Sequence, residues 1–144
     1  MPKILIGIDT GVNTGFAVAF DDGEGGVLQK VESLSITQAM QSVLEYEDEH
    51  DLKDIMLYIE DARKRTWFTG GREKSQGVGS VKRDAQIWED WCTEQGLNFK
   101  MIHPAANATK KKVADFTRMT GWTGRTNEHA RDAAMLVFKR YWKA

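Results

Sequence analysis

The order of apolar runs in this chain predicts an α/β fold: a five-stranded mixed sheet flanked by helices. Runs at residues 3–9, 16–20 and 27–34 are joined by turn-forming segments, which makes an antiparallel three-strand meander. Runs at 54–60 and 98–103 each follow a stretch with helical spacing, so helical crossovers add them as parallel strands. Helical patterns fill much of the remainder, giving the order β-β-β-α-β-α-β-α-α.

The first strand, Ile4-Leu5-Ile6-Gly7-Ile8, ends at Asp9. Asp9-Thr10-Gly11-Val12-Asn13-Thr14-Gly15 is turn chemistry, and Phe16-Ala17-Val18-Ala19-Phe20 is the second strand. After a turn at 21–26, Val27 to Leu34 alternates in polarity and suits an outer strand. Ser35 or Thr37 caps a helix over about 37–49, with Ala39, Met40, Val43 and Leu44 inward. The fourth strand ends at Glu60. Residues 61–79 are glycine-rich and short of apolar anchors, so they are expected to form a loop. Ser80 caps a helix over about 81–95, closed by Gly96. The fifth strand stops at Pro104, residues 109–119 are helical, and Thr126 or Asn127 caps a last helix to about 142.

With 144 residues the chain is expected to form one domain spanning 1–144. Its 41% hydrophobic and 28% charged residues are ordinary for a globular protein. A single cysteine, Cys92, excludes an internal disulfide and suits a reducing, cytoplasmic compartment. No signal peptide is evident, and no apolar run approaches the roughly 20 residues needed to span a membrane. The net charge of −1 hides an asymmetry: residues 1–60 carry 3 Lys/Arg against 12 Asp/Glu, a balance of −9. Residues 61–83 carry 7 against 2, and residues 100–125 carry 6 against 1, each a balance of +5. Basic segments on either side of an acidic cluster point to a polyanionic partner.

Asp9, Glu60 and Asp132 form that cluster. Carboxylates at the ends of apolar strands are costly to bury unless something pairs with them, and a hard divalent cation is the simplest partner. Side chains alternate along strands, so Leu5, Gly7 and Asp9 share one face, as do Met56, Tyr58 and Glu60. If these strands lie parallel and adjacent, the two carboxylates become neighbours; Asp61 points the other way. In the last helix Glu128 and His129 each share a face with Asp132, and Ala133-Ala134 lets that helix approach the sheet closely. Each residue also has a plainer reading. Asp9 suits an Asx-turn, Glu60 a strand-end charge, Glu128 a helix-dipole partner and His129 an exposed first-turn residue.

Ile6-Gly7-Ile8-Asp9-Thr10-Gly11 with Thr14-Gly15, the strand-end Glu60, and His129-Ala130-Arg131-Asp132-Ala133-Ala134 together resemble the ribonuclease H-like superfamily. Within it they look most like RuvC-type Holliday-junction resolvases of a phage-type subgroup. His103-Pro104 followed by Lys110-Lys111-Lys112 resembles the family's proline- and lysine-bearing segment. Two departures stand out. The family's Asp-x-x-Asp on the last helix has His129 at its first position, with Glu128 beside it. The family's aromatic three residues after the strand-end glutamate is Arg63, with Trp67-Phe68 later.

The resemblance implies a ribonuclease H-like fold and a homodimeric endonuclease that nicks two strands of a four-way DNA junction with divalent metal. The expected chemistry is two-metal hydrolysis, with two Mg²⁺ about 4 Å apart and Mn²⁺ as a substitute. Asp9 bridges both ions, Glu60 binds one, and Asp132 with His129 or Glu128 holds the other; His129 is alternatively a general base. Lys82, Lys110, Lys111 and Lys112 are candidates for phosphate contacts, and Arg63, Lys64, Arg65, Arg72 and Lys74 for DNA-binding arms. Trp67 and Phe68 are candidates for stacking on exposed bases, or for packing under the loop. Val81, Ala85, Trp88 and Cys92 form a helical stripe that covers the sheet, and the adjoining Ile87 and Trp91 are expected to meet a second copy of the chain. The rivals are a related nuclease acting on an RNA/DNA hybrid and a non-catalytic junction binder. An actin-like ATPase needs two such domains, more than 144 residues provide.

Overall fold

A computed structural model of the chain describes residues 3–21, 23, 25–64, 72–104 and 111–139, the side chains of 72–78 and 81 excepted. Strands β1 (Lys3–Asp9), β2 (Thr14–Asp21) and β3 (Gly26–Leu34) form the meander, and β4 (Ile55–Glu60) and β5 (Phe99–Ile102) extend it in the order β3-β2-β1-β4-β5. The β1–β2 and β2–β3 pairs are antiparallel; β1–β4 and β4–β5 are parallel. β1 and β4 are buried on both faces, which their unbroken apolar runs require. β3 lies at the edge, as its alternation predicts.

Helices cover both faces. Helices α1 (Ile36–Glu49) and α2 (Arg72–Glu94) pack Ala39, Val43, Trp88 and Cys92 against Ile4, Ile6, Ile8, Phe16, Val18 and Ile59. Helices α3 (Val113–Thr120) and α4 (Glu128–Val137) pack Phe116, Ala130, Ala133, Ala134, Leu136 and Val137 against Leu5, Ala17, Ala19 and Tyr58. Ser35 starts α1 with a capping box: its hydroxyl accepts from the Gln38 N–H, and the Gln38 side chain accepts from the Ser35 N–H. Met40 packs against the same core from a half-buried position. Burial pushes the Cys92 thiol up to about 12, leaving it protonated and unreactive.

Three boundaries differ from the sequence expectation. The long helix begins at Arg72, not after Ser80, so the second part of the expected 61–79 loop is helical. Gly77 and Gly79 each cost about 1 kcal/mol there relative to alanine. Propagation from the packed half around Ala85, Trp88 and Cys92 outweighs that. The third helix starts at Val113, because Lys112 is extended (φ −70°, ψ 154°) and serves as its N-cap; the expected start at 109 lies outside the described residues. The last helix ends at Val137, short of 142. Lys139 there adopts φ 55° and donates its N–H to the Gly26 carbonyl at 2.8 Å, turning the chain toward the edge strand.

Of the expected stripe, Trp88 and Cys92 pack on the sheet core and Ala85 is buried; the Val81 side chain lies outside the described set. Trp91 also packs on that core, edge-on to Trp88 with ring centroids 5.6 Å apart, while Ile87 remains exposed.

Asp61 anchors the α2 side. It is buried behind Glu60, and its N–H donates to the Ile102 carbonyl at 2.8 Å. Arg63 follows it in a short 3-10 turn, Ala62–Lys64. The guanidinium donates from Nε and Nη2 to the Asp61 carboxylate at 2.8 and 2.9 Å, and from Nη1 and Nη2 to Glu89 of α2 at 3.0 and 3.2 Å. Burial alone raises the Asp61 pKa, but Arg63's hydrogen bonds and charge outweigh it and hold it below the usual carboxylate range. Arg63 likewise lowers Glu89. Arg63→Ala leaves a buried carboxylate without its cation. The expected cost at pH 7 is about 3 kcal/mol, the lower end for breaking a buried pair, since Arg63 is part-exposed. Both folded-state carboxyl pKa values are depressed. The pair therefore stabilises fully above the unfolded value near pH 4, and that contribution disappears as pH falls through the folded values. Thermal melts of wild type and Arg63→Ala should differ most at neutral pH and converge in acid; a constant gap between them contradicts this.

Candidate active site

The parallel register pairs Ile8 with Ile59, which places Asp9 and Glu60 side by side at the C-terminal ends of β1 and β4. Alternation along each strand puts both carboxylates on the face that carries Leu5 and Tyr58, the α4 face. Asp61 takes the opposite face and is committed to Arg63.

Helix α4 brings the remaining groups. Asn127 caps it, its Oδ1 accepting from the Ala130 N–H at 2.9 Å. His129 sits in the first turn, and its Nδ1 lies 3.2 Å from Asp9 Oδ2. Asp132 follows one turn later, buried on the sheet side of the helix. Asp9 is 6% exposed, Glu60 1% and Asp132 6%, so three carboxylates lie largely out of water on one face of the sheet. Glu128, the neighbour of His129, is exposed.

Two glycines set how close α4 comes. A Cβ placed on Gly15 would stand 1.9 Å from the His129 carbonyl oxygen, and one on Gly7 would stand 2.2 Å from the Ala133 carbonyl oxygen. The helix backbone therefore rests directly on β1 and β2 at positions where no side chain intervenes. Ala133 and Ala134 contribute from the helix side, as their small size predicts. In the sequence Gly7 reads as a small residue on the Asp9 face and Gly15 as part of a turn; nothing local marks either as a helix contact.

Oxygen donors with a neighbouring imidazole have the chemistry for Mg²⁺ or Mn²⁺. As the side chains lie, however, no three of His, Cys, Asp and Glu among the described residues are gathered closely enough to hold a metal ion. The fold thus supplies the right donors on adjacent elements without closing them on one point.

The basic candidates are spread more widely. Lys64 is exposed at the end of the 3-10 turn, and Lys82 is exposed on α2. Arg72 and Lys74 lie in the first turn of α2, with side chains outside the described set. Lys111 is half-buried and Lys112 exposed at the start of α3. Arg65, Trp67, Phe68 and Lys110 lie outside the described residues. Arg63 is engaged with Asp61, Glu89 and Gln86, a structural task its sequence position does not announce. Among the described residues no helix is long and apolar enough to cross a membrane.

No family model and no curated protein matches the chain. Among solved structures it is similar to a RuvC structure from Thermus thermophilus, with 16% identity and a TM-score of 0.50 over 92% of this chain and 90% of that one. At that identity the likeness shows the fold alone: the five-stranded mixed sheet with helices on both faces is the fold of that RuvC structure.

Proposed function

We propose that this chain is a divalent-metal-dependent endonuclease that resolves four-way DNA junctions, a RuvC-type resolvase of the phage-type subgroup. The observation that supports this most is the placement of Asp9 and Glu60 on adjacent parallel strand ends, with His129 and Asp132 delivered to the same face by α4. Asp9, Glu60 and Asp132, with His129 or Glu128, would hold Mg²⁺, or Mn²⁺ in its place. Such ions would supply charge neutralisation at the scissile phosphate and an acidified water.

The protein's own groups divide the other tasks. His129 Nδ1 lies against Asp9 Oδ2, so Nε2 is the ring nitrogen that would bind the ion or, in the alternative general-base role, take a proton from the attacking water. Lys64, Lys82, Lys111 and Lys112 position the duplex through its phosphates, with Arg65, Arg72, Lys74 and Lys110 extending that surface. Trp67 and Phe68 stack on bases unpaired at the crossover. Two copies of the chain, related by a two-fold axis, set two sites against two strands. The exposed Ile87 on α2 marks the surface for that pairing, and sedimentation at micromolar concentration reads it directly.

The deciding assay incubates a labelled four-way junction, an RNA/DNA hybrid and a plain duplex with Mg²⁺ or Mn²⁺. Paired nicks in the junction are expected. Preferential cutting of the hybrid, or junction binding with no cleavage under either metal, overturns the proposal.

The contact between His129 and Asp9 favours His129 of the two open candidates on α4. His129→Ala is expected to slow cleavage by about a hundredfold, the scale of a lost acid–base or ligand group. Glu128→Ala should have little effect, and His129→Asp should retain activity with its preference shifted toward Mg²⁺ because the new donor is a hard oxygen. Loss of cleavage in Glu128→Ala with His129→Ala unaffected reverses the assignment.

A further inference from the structure

Arg131 stands beside Asp132 in α4 yet belongs to no role described so far. Its side chain is half-buried. Nε donates to the Lys111 carbonyl at 2.8 Å, and Nη1 donates to Thr126 Oγ1 at 2.9 Å. Both acceptors lie outside helices: Lys111 precedes the α3 N-cap, and Thr126 precedes the α4 N-cap. One planar guanidinium therefore brackets the segment entering α3 to the helix whose first turn touches Asp9. Lys112 projects into solvent at that junction, and among the described residues neither Lys111 nor Lys112 forms an ion pair. The arginine thereby fixes the backbone from which both lysine side chains extend.

We propose that Arg131 is a positioning residue for the nucleic-acid backbone: it fixes the Lys111–Lys112 turn at a set distance from the Asp9–His129 end of the site, so that a phosphate held by the lysines is in register with the carboxylates. This rests on the DNA reading above. The bracket needs arginine's fixed fork, because a lysine ammonium cannot satisfy two acceptors in that planar arrangement.

The test measures affinity for a synthetic four-way junction against salt concentration, in Ca²⁺ so that binding alone is read. The variants are Arg131→Lys, Lys111→Gln/Lys112→Gln, and all three changes together. The lysine double variant should flatten the plot of log affinity against log salt by about 0.9 for each phosphate that is no longer neutralised. Arg131→Lys keeps its charge but should flatten the plot nearly as much, and the combined variant should add little. A wild-type slope for Arg131→Lys overturns the inference, as does full additivity with the lysine changes. If Arg131→Lys does not fold, Thr126→Val removes one acceptor alone and should flatten the slope partly; an unchanged slope then overturns the bracket. An unaltered slope in the lysine double variant sinks both this inference and the DNA reading of these lysines. Flattening there with no effect at Arg131 or Thr126 sinks this inference alone, and junction cleavage in the earlier assay is independent of either result.

Discussion

Asp9→Asn is expected to lower junction cleavage to about 1% of wild type or less, a barrier increase of about 3 kcal/mol or more, while binding stays intact or tightens. The substitution is nearly isosteric, and its amide oxygen still accepts a hydrogen bond from His129, whose Nδ1 lies 3.2 Å from the wild-type carboxylate. What it removes is one negative charge at a buried strand end. That charge is what a divalent ion needs and what an incoming phosphate resists, so catalysis and binding should move in opposite directions. Single-turnover cleavage and gel-shift titration on the same preparation read both. Cleavage above several per cent of wild type, in a protein that melts normally, sinks the role given to Asp9.

Gly15→Ala should produce a large structural effect for a single methyl group, the tightest contact among the described glycines. The added carbon would stand 1.9 Å from the His129 carbonyl oxygen, 2.5 Å from its carbon and 3.0 Å from the Asp9 Cβ. The first two atoms are backbone, so no rotamer change relieves the clash; the N-terminal turn of α4 must lift off the sheet. The expected cost is about 3 kcal/mol, at the upper end for overpacking, or roughly 10 °C in melting temperature. Surviving folded protein should cleave poorly, because the displaced turn carries His129 and precedes Asp132. Gly79→Ala is the control of opposite sign. It sits in α2 with nothing within 4 Å of its added carbon, so it should stabilise by about 1 kcal/mol. A Gly15→Ala protein with unchanged melting and cleavage contradicts the close packing of α4.

Much of the site was legible because strand periodicity is a local property. Alternation in Ile4–Asp9 and Ile55–Glu60 fixes which side chains share a face, and the unbroken apolar character of both runs says that they lie inside the sheet. Those facts give the faces of Asp9, Glu60 and Asp61; that β1 and β4 lie side by side, which makes Asp9 and Glu60 neighbours, comes from the tertiary structure. The Asn127 cap and the position of Asp132 on the buried side of α4 follow from spacing in the same way.

Other features depend on partners that local pattern does not encode. Arg63 reads as one more cation in a basic stretch, yet burial of Asp61 and the arrival of Glu89 from α2 turn it into a cross-link. The start of α2 defeats glycine statistics because a packed helical half propagates outward at a cost of only about 1 kcal/mol per glycine. The end of α4 is set by a hydrogen bond to Gly26, more than a hundred residues earlier in the chain. Trp91 and Ile87 look alike in an amphipathic pattern, but only the tertiary packing places one against the core and leaves the other in solvent.

By itself, then, the sequence determined the strand order of the meander, the α/β class, the face shared by Asp9 and Glu60 and the helix that brings Asp132. These follow from side-chain period and apolar content along a few residues. Only the tertiary structure decided that α4 lies backbone-to-backbone on Gly7 and Gly15, that His129 meets Asp9, and that Arg63 and Arg131 act as brackets. Each of these joins segments that meet only in the folded chain, governed by excluded volume and hydrogen-bond geometry, and none has a signature in the residues on one side alone.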